Sequence, residues 1–359
     1  MSINTQSDRS PLSAVTSGTA QPQIFDVTFQ PQVKTRRTVR VVMLDVIIAL
    51  IPTLLAGLYE FGMYNLIPVA VSVAACVFFE WGYRKLLKKD NRIWDLSACV
   101  TGLILGLSLP PDTGWWIAVI GAFFAIVVVK QLYGGIGKNF LNPALTGRAF
   151  LIASYALIMS LFSVPRSLAA EIDAATMATP LTYMYSENAL PEYFTLKNMF
   201  LGAIPGSIGE VSKLALLIGL AYLLIRKIIT WRIPVSFMGT IALLTVIFGK
   251  NGYGNFEWML LNLCTGSALL TAVFMATDYA TSPVTANGQL LYGFGCGALT
   301  VLIRYFGGYP EGSTFAVLIM NLCAWAIDKG FHRRPFGLES EKKGRLSGRR
   351  HTASDGKAV

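Results

Sequence analysis

Charge is what this sequence has least of: Asp, Glu, Lys and Arg make up 14% of its 359 residues, against roughly 25% in an average soluble domain. Histidine is nearly missing, with His332 and His351 both close to the C-terminus. The five cysteines, Cys76, Cys99, Cys264, Cys296 and Cys323, are scattered through apolar stretches without a CxxC pair. Self-contained zinc, iron–sulfur and c-type haem sites all need clustered Cys or His and are excluded on these grounds. The cysteines read as small core residues. A glycine-rich dinucleotide fingerprint in a strand–turn–helix setting is also missing, and no catalytic group or metal ligand is expected on the chain. The N-terminus has no apolar run behind a basic start, so residues 1–40 read as a partly disordered cytoplasmic tail rather than a cleaved signal peptide.

What fills the sequence instead is apolar: 53% of the residues are hydrophobic and the mean hydropathy is +0.53. A helix that crosses a bilayer needs roughly 20 apolar residues, and Val41 to Phe61 and Asn65 to Tyr83 meet this directly. Further segments run at about Trp94 to Leu109, Trp115 to Gln131, Asn142 to Val164, Val211 to Ile228, Ile233 to Gly249, Glu257 to Ala276, Gln289 to Arg304 and Gly312 to Lys329. The expectation is an all-α polytopic membrane protein of about ten transmembrane helices. The net charge of +10 gathers at Lys34–Arg40, Arg84–Arg92, Lys138–Arg148, Arg226–Arg232 and Lys329–Arg350. In a ten-span layout all five clusters fall on one side, so they read as a topology signal and not as a nucleic-acid surface. Both termini are then cytoplasmic in a bacterial inner membrane, including the basic tail 331–359. The connection 165–210, whose charges are mainly acidic (Glu171, Asp173, Glu187, Glu192, Glu210), is external.

The two halves echo each other. Val100-Thr-Gly-Leu103 matches Cys264-Thr-Gly-Ser267, and Tyr133-Gly-Gly135 matches Phe306-Gly-Gly308, in each case five segments apart. An odd number of crossings reverses direction, which predicts two inverted five-helix repeats, 41–164 and 211–330, with binding sites at their interface.

Three polar segments interrupt the apolar pattern. Tyr133 to Phe150 holds glycines that admit close approach and two amides, Asn139 and Asn142, three residues apart before Pro143 opens a helix. Paired amides suit a planar ligand with imide donors and acceptors, such as an isoalloxazine or quinone; the plainer reading is a capped re-entrant turn. Asp173 to Leu181, taken bare, is a Thr/Ala loop with a proline turn. Pro205 to Ser212 places glycine and free amides before a helix, where a phosphate could be received, although Gly and Ser open many helices. Among the acids in or near apolar segments (Asp45, Glu60, Glu80, Asp95, Asp278), Asp95 and Asp278 are the preferred ion-pathway candidates.

Together these segments resemble the family that contains the D-type subunit of the Rnf ion-translocating oxidoreductase and the B-type subunit of the sodium-translocating NADH:quinone oxidoreductase, over essentially the whole membrane region. The most specific element is the loop pattern Asp-x-x-Ser/Thr-Gly-Ala-Thr, represented here by Asp173, Thr176, Met177, Ala178 and Thr179, with Met177 where the family usually has glycine. The resemblance implies that a flavin transferase, working outside the cytoplasm, attaches FMN through a phosphoester to Thr179. Positive-inside counting places the same loop there independently. It further implies non-covalent riboflavin at Asn139 and Asn142, and Gly206, Ser207 and Glu210 near the FMN phosphate. Its partners would be a periplasmic FMN-carrying subunit and cytoplasmic NADH and iron–sulfur subunits. The implied function is electron transfer between the two flavins, coupled to Na⁺ or H⁺ translocation, in ferredoxin:NAD⁺ rather than quinone oxidoreduction; the chain is not catalytically complete alone. The alternative is an inverted-repeat secondary transporter or channel without a redox cofactor, and a third reading is a purely structural assembly subunit.

Overall fold

The computed structural model describes residues 38–89, 93–169, 176–186, 190–250, 253–307 and 311–331. Asp173 and both histidines lie outside the described residues. The two N-terminal apolar runs become long continuous helices, because a chain that leaves water must satisfy its backbone internally. Helix α1 (Val39–Phe61) starts at Thr38, whose hydroxyl accepts from the Val41 N–H, and stops at Gly62. Helix α2 (Leu66–Leu86) follows at once. The first half continues with α3 (Ser97–Leu107), α4 (Trp115–Phe123, running on as a π-helix over Phe124–Gln131), α5 (Pro143–Ser154) and α6 (Ala156–Ser160). The connection holds β1 (Phe162–Ser163), β2 (Thr176–Met177), α7 (Pro180–Ser186) and α8 (Leu196–Leu201). The second half comprises α9 (Lys213–Ile225), α10 (Arg232–Phe248), α11 (Asn255–Cys264), α12 (Ala268–Leu270, continued as a π-helix over Thr271–Met275), α13 (Ala286–Phe306) and α14 (Ser313–Gly330).

Among the described residues, three helical stretches are long and apolar enough to span a membrane unaided: α1, Met63–Leu86 and α13. The pair α11–α12 makes a fourth if its 64° bend is counted within one span. Several expected segments are shorter than periodicity suggested. The segment expected over Asn142–Val164 is two helices, and that over Glu257–Ala276 is broken at Thr265–Ser267. The break has a cause: Gly266 sits at φ +67°, which ends the helix. The carbonyls released there are taken by buried cations, Gly266 O by Lys213 Nζ at 3.0 Å and Thr265 O by Arg304 at 3.5 Å.

Packing partners recur between the halves, α2 against α3 and α4, α10 against α11 and α13. The halves meet along α1 and α9, where Gly219 lies so close to α1 that an added Cβ would stand 2.5 Å from the Ala49 carbonyl. The connection expected as an external loop is a folded cap. Its two short strands pair antiparallel, Phe162 with Met177 and Ser163 with Thr176. A small core of Leu168, Met184, Phe194 and Met199 packs it against Trp258 and Leu261 of α11.

Candidate functional sites at the two ends of α1

At the N-terminal end of α1, a cleft of about 110 Å³ is lined by Asn139, Asn142, Ser97, Lys130, Asp278 and Tyr279, beside Val42 and Met43. Both expected amides are here, and they do different things. Asn142 caps α5, its Oδ1 accepting from the N–H groups of Ala144 (3.0 Å) and Leu145 (3.3 Å). Its Nδ2 donates to the Met275 carbonyl at 3.0 Å, fastening the first half to the second. The Asn142 amide is therefore spent on structure, while Asn139 commits Nδ2 to the Leu141 carbonyl at 3.1 Å and borders the cleft. Asp278, in the connection after α12, also borders it. Its carboxylate accepts from Ala280 N and Thr281 Oγ1, and burial raises its proton affinity against those two bonds.

Asp95 is placed elsewhere. It holds Ser97, the first residue of α3, accepting from its backbone N–H at 3.2 Å and its hydroxyl at 2.9 Å, and borders a separate basic recess with Arg84, Lys88, Lys89 and Lys138. The two acids singled out from the sequence are thus not brought together. The structure adds an ion pair that sequence reasoning did not assemble: fully buried Glu80 accepts from Lys130 Nζ at 2.7 Å and Gln131 Nε2 at 2.9 Å, with Arg84 at 3.3 Å. Glu80 stood out as an acid in an apolar run; its partner lies fifty residues on in sequence, beyond any helical periodicity.

The folded cap lies at the other end of α1, where Arg166 N donates to Glu60 O and Ser167 to the Glu60 carboxylate. Thr179 is 2% exposed. Its Oγ1 accepts from the Thr182 N–H at 3.3 Å and lies 3.0 Å from the Thr182 hydroxyl, opening α7. Thr176 is exposed, Ala178 half-buried, and Met177 is held in the strand pair. Residues Gly206–Glu210 are clamped onto the end of α3, with Ile208 N donating to Leu109 O and Gly209 N to Leu107 O, while Glu210 N turns back to Ser207 O. Three of the amides expected to be free there, those of Ile208, Gly209 and Glu210, are therefore spent on carbonyls. What this segment offers inward is side chains: Ser207 Oγ at 3.4 Å and Glu210 at 3.5 Å from Arg148.

Arg148 corrects the reading of the basic clusters. Counted as a topology residue, it is in fact 2% exposed and bonded to Glu311 at 2.7 Å. All five cysteines are free, with Cys76 and Cys296 buried.

A family model described as the NQR2, RnfD, RnfE family matches residues 26–337. The chain is 42% identical over 320 residues to the D-type subunit of the Na⁺-translocating ferredoxin:NAD⁺ oxidoreductase complex of Acetobacterium woodii, covering 88% of this chain and 96% of that protein. It is 39% identical over 322 residues to the D-type subunit of the proton-translocating ferredoxin:NAD⁺ oxidoreductase complex of Clostridium ljungdahlii, with the same coverage of 88% and 96%. The corresponding subunit of the ion-translocating oxidoreductase complex of Stutzerimonas stutzeri is 36% identical over 335 residues, covering 86% and 95%. With a family model spanning most of its length and relatives matched nearly end to end, the chain belongs to the NQR2/RnfD/RnfE family.

Proposed function

We propose that this chain is the flavin-carrying membrane subunit of an ion-translocating ferredoxin:NAD⁺ oxidoreductase, a multi-subunit complex in which it moves electrons across the membrane. The observation that carries the reading is the separation of the two sites. The Asn139 cleft borders Val42 and Met43 at the start of α1, and the Thr179 cap is fastened to Glu60 at its end. Twenty-three helical residues separate those ends, roughly 34 Å at 1.5 Å per residue, about one bilayer. The names of the relatives support the redox and ion-translocating role.

In this reading FMN is joined covalently to Thr179 by a flavin transferase and riboflavin occupies the Asn139 cleft; the flavins, when bound, supply the electron-carrying chemistry. The chain supplies position and field. Asn139 presents an amide to a planar ring, and Lys130, held by Glu80 and Ser97, sets a positive charge on the cleft wall. The cap buries Thr179 and keeps water from the attachment point. The membrane body is read as about ten crossings in two inverted repeats with both termini cytoplasmic, supported by the recurring packing of α2 and α10. Asp278 and Asp95 serve as ion-pathway acids. The partners are a periplasmic FMN-carrying subunit and cytoplasmic NADH and iron–sulfur subunits. Relatives of nearly equal identity are named for Na⁺ and for protons, so the ion is set by features finer than the fold.

The test compares wild type with Thr179→Ala, both membrane-inserted, in a host with the flavin transferase, by in-gel flavin fluorescence and intact mass. One FMN residue of added mass in wild type, lost in the variant, is expected. Colourless, unmodified protein in both, from a complex that still runs, would move the assignment to a transporter or an assembly subunit.

A further inference from the structure

Arg148, Lys213 and Arg304 carry three cationic side chains into the protein interior, each 2% exposed. Two carboxylates stand among them, Glu210 at 3.5 Å and Glu311 at 2.7 Å from Arg148. Lys213 Nζ donates to the carbonyls of Glu210 and Gly266, and Arg304 NH1 to both oxygens of Asn262. Lys213 and Arg304 both lie in the field of both carboxylates, so the five groups form one electrostatic unit, three cations against two carboxyl groups, with a formal excess of one positive charge that grows wherever Glu311 holds its proton. An uncompensated charge in such a place is costly.

Hydrogen bonding has the same imbalance. Among the described residues, Arg148 Nε, Arg148 NH1 and Arg304 Nε are buried donors without an acceptor, and the Thr314 hydroxyl has no partner. The acceptors left over are fewer, Glu210 Oε2 and Glu311 Oε1, and both belong to carboxylates in ion contact with Arg148. Buried polar groups of native proteins find partners. Surplus charge and surplus donors together call for a singly charged anion with several acceptor oxygens, the chemistry guanidinium groups match best. The backbone amides of Ile208, Gly209 and Glu210 do not compete for it, since they are spent on carbonyls.

The helix that begins at Thr179 is docked on this unit. Leu181 Cδ2 and Arg304 NH2 converge on Gly266, 2.9 and 3.3 Å from where a Cβ would stand. Tyr185 OH donates at 2.8 Å to the same Asn262 Oδ1 that Arg304 bonds at 3.2 Å. A phosphodiester carries one negative charge and two free acceptor oxygens. Resting on the reading that Thr179 carries a flavin, we infer that Arg304, Lys213 and Arg148 form an interior oxyanion site whose occupant is the phosphodiester linking that flavin to Thr179. Arg304 acts as the positioning residue that locks α7 onto the α11–α12 break once the charge is matched, and the docking of the cap is thereby coupled to flavin attachment.

The test uses the full chain from hosts with and without the transferase, with hydrogen exchange read by mass spectrometry over residues 180–186 and 262–267. Flavin attachment is expected to slow exchange there about tenfold or more in wild type, the scale of one charge-assisted hydrogen bond. Arg304→Gln is expected to keep the added FMN mass and lose the slowing, and Arg304→Lys to recover part of it. Equal slowing in wild type, Arg304→Gln and Lys213→Gln overturns the inference; Lys213→Gln alone decides if Arg304→Gln does not elute as folded protein. If wild type gains no flavin mass, the Thr179 reading fails instead, and inorganic phosphate added to the unmodified chain tests the site itself. Slowing by phosphate in wild type but not in Arg304→Gln then keeps the oxyanion site with a free ion as occupant, and no slowing overturns it.

Discussion

Lys130→Met probes the buried pair behind the Asn139 cleft. Glu80 is fully buried and receives Lys130 Nζ at 2.7 Å, Gln131 Nε2 at 2.9 Å and Arg84 NH2 at 3.3 Å. Methionine keeps most of the stem volume and removes the charge. Breaking a buried pair from one side costs about 3–5 kcal/mol, because the remaining charge is left uncompensated. Arg84 still faces Glu80, which puts the expected loss near the lower end, about 3 kcal/mol. The Ser97–Asp95 bond at 2.9 Å does not involve Lys130 and survives. Glu80→Gln instead leaves two buried cations, Lys130 and Arg84, without the carboxylate that both meet, and should fall toward the upper end, about 5 kcal/mol. Lys130→Met, which keeps the Glu80–Arg84 pair, is therefore expected to be the more stable of the two variants. The assay is the apparent melting temperature of detergent-solubilised protein by fluorescence-detected size exclusion, at one heating rate because such melting is kinetic. If Glu80→Gln melts no lower than Lys130→Met, the charge-compensation argument is wrong.

Three further outcomes follow from the same geometry. Asn142→Ala removes two cap bonds and the tie to Met275 and should cost about 1–3 kcal/mol; Asn142→Ser, which can cap but cannot reach Met275, should fall between it and wild type in the same melting assay. On the proposed flavin-carrying role, Asn139→Leu should abolish acid-released riboflavin while leaving the covalent flavin mass intact, read by chromatography and mass spectrometry on one sample. Glu311, in the connection before α14, is pushed up to about 7 from an ordinary 4.5 by burial and by the Glu210 carboxylate, against Arg148 and Arg304. A raised acid favours the folded state while protonated, so its contribution is full below 4.5 and lost as pH rises through about 7. Glu311→Gln should flatten the melting temperature across that window, and a slope as steep as wild type would count against the assignment.

How much of this was legible in the sequence depends on the distance over which each feature is decided. Apolar runs are local, and α1, α2 and α13 appear where hydropathy put them. The Tyr133–Phe150 segment announced itself by being polar where its neighbours are apolar, and Asn139 and Asn142 do line one cleft. That Asn142 holds Met275 is a contact across 133 residues, invisible to any window. Sequence alone reads the 165–210 connection as an external loop because its helices are short and its core is completed by Trp258, which belongs to α11.

The basic residues show the limit most clearly. A one-dimensional count treats Arg148 as one more cation beside a membrane segment, and neither its burial nor its bond to Glu311, 163 residues on, leaves a local mark. The broken helix at Thr265–Ser267 follows the same logic. Its Thr-Gly pair was noticed as a repeat of Thr101-Gly102, yet the first-half copy stays helical within α3 and the second bends by 64°. A bend needs its freed carbonyls satisfied, and Lys213 and Arg304 are present to do so only in the second half. The symmetry of the motif is therefore broken by buried cations, at the place where the cap and its threonine dock.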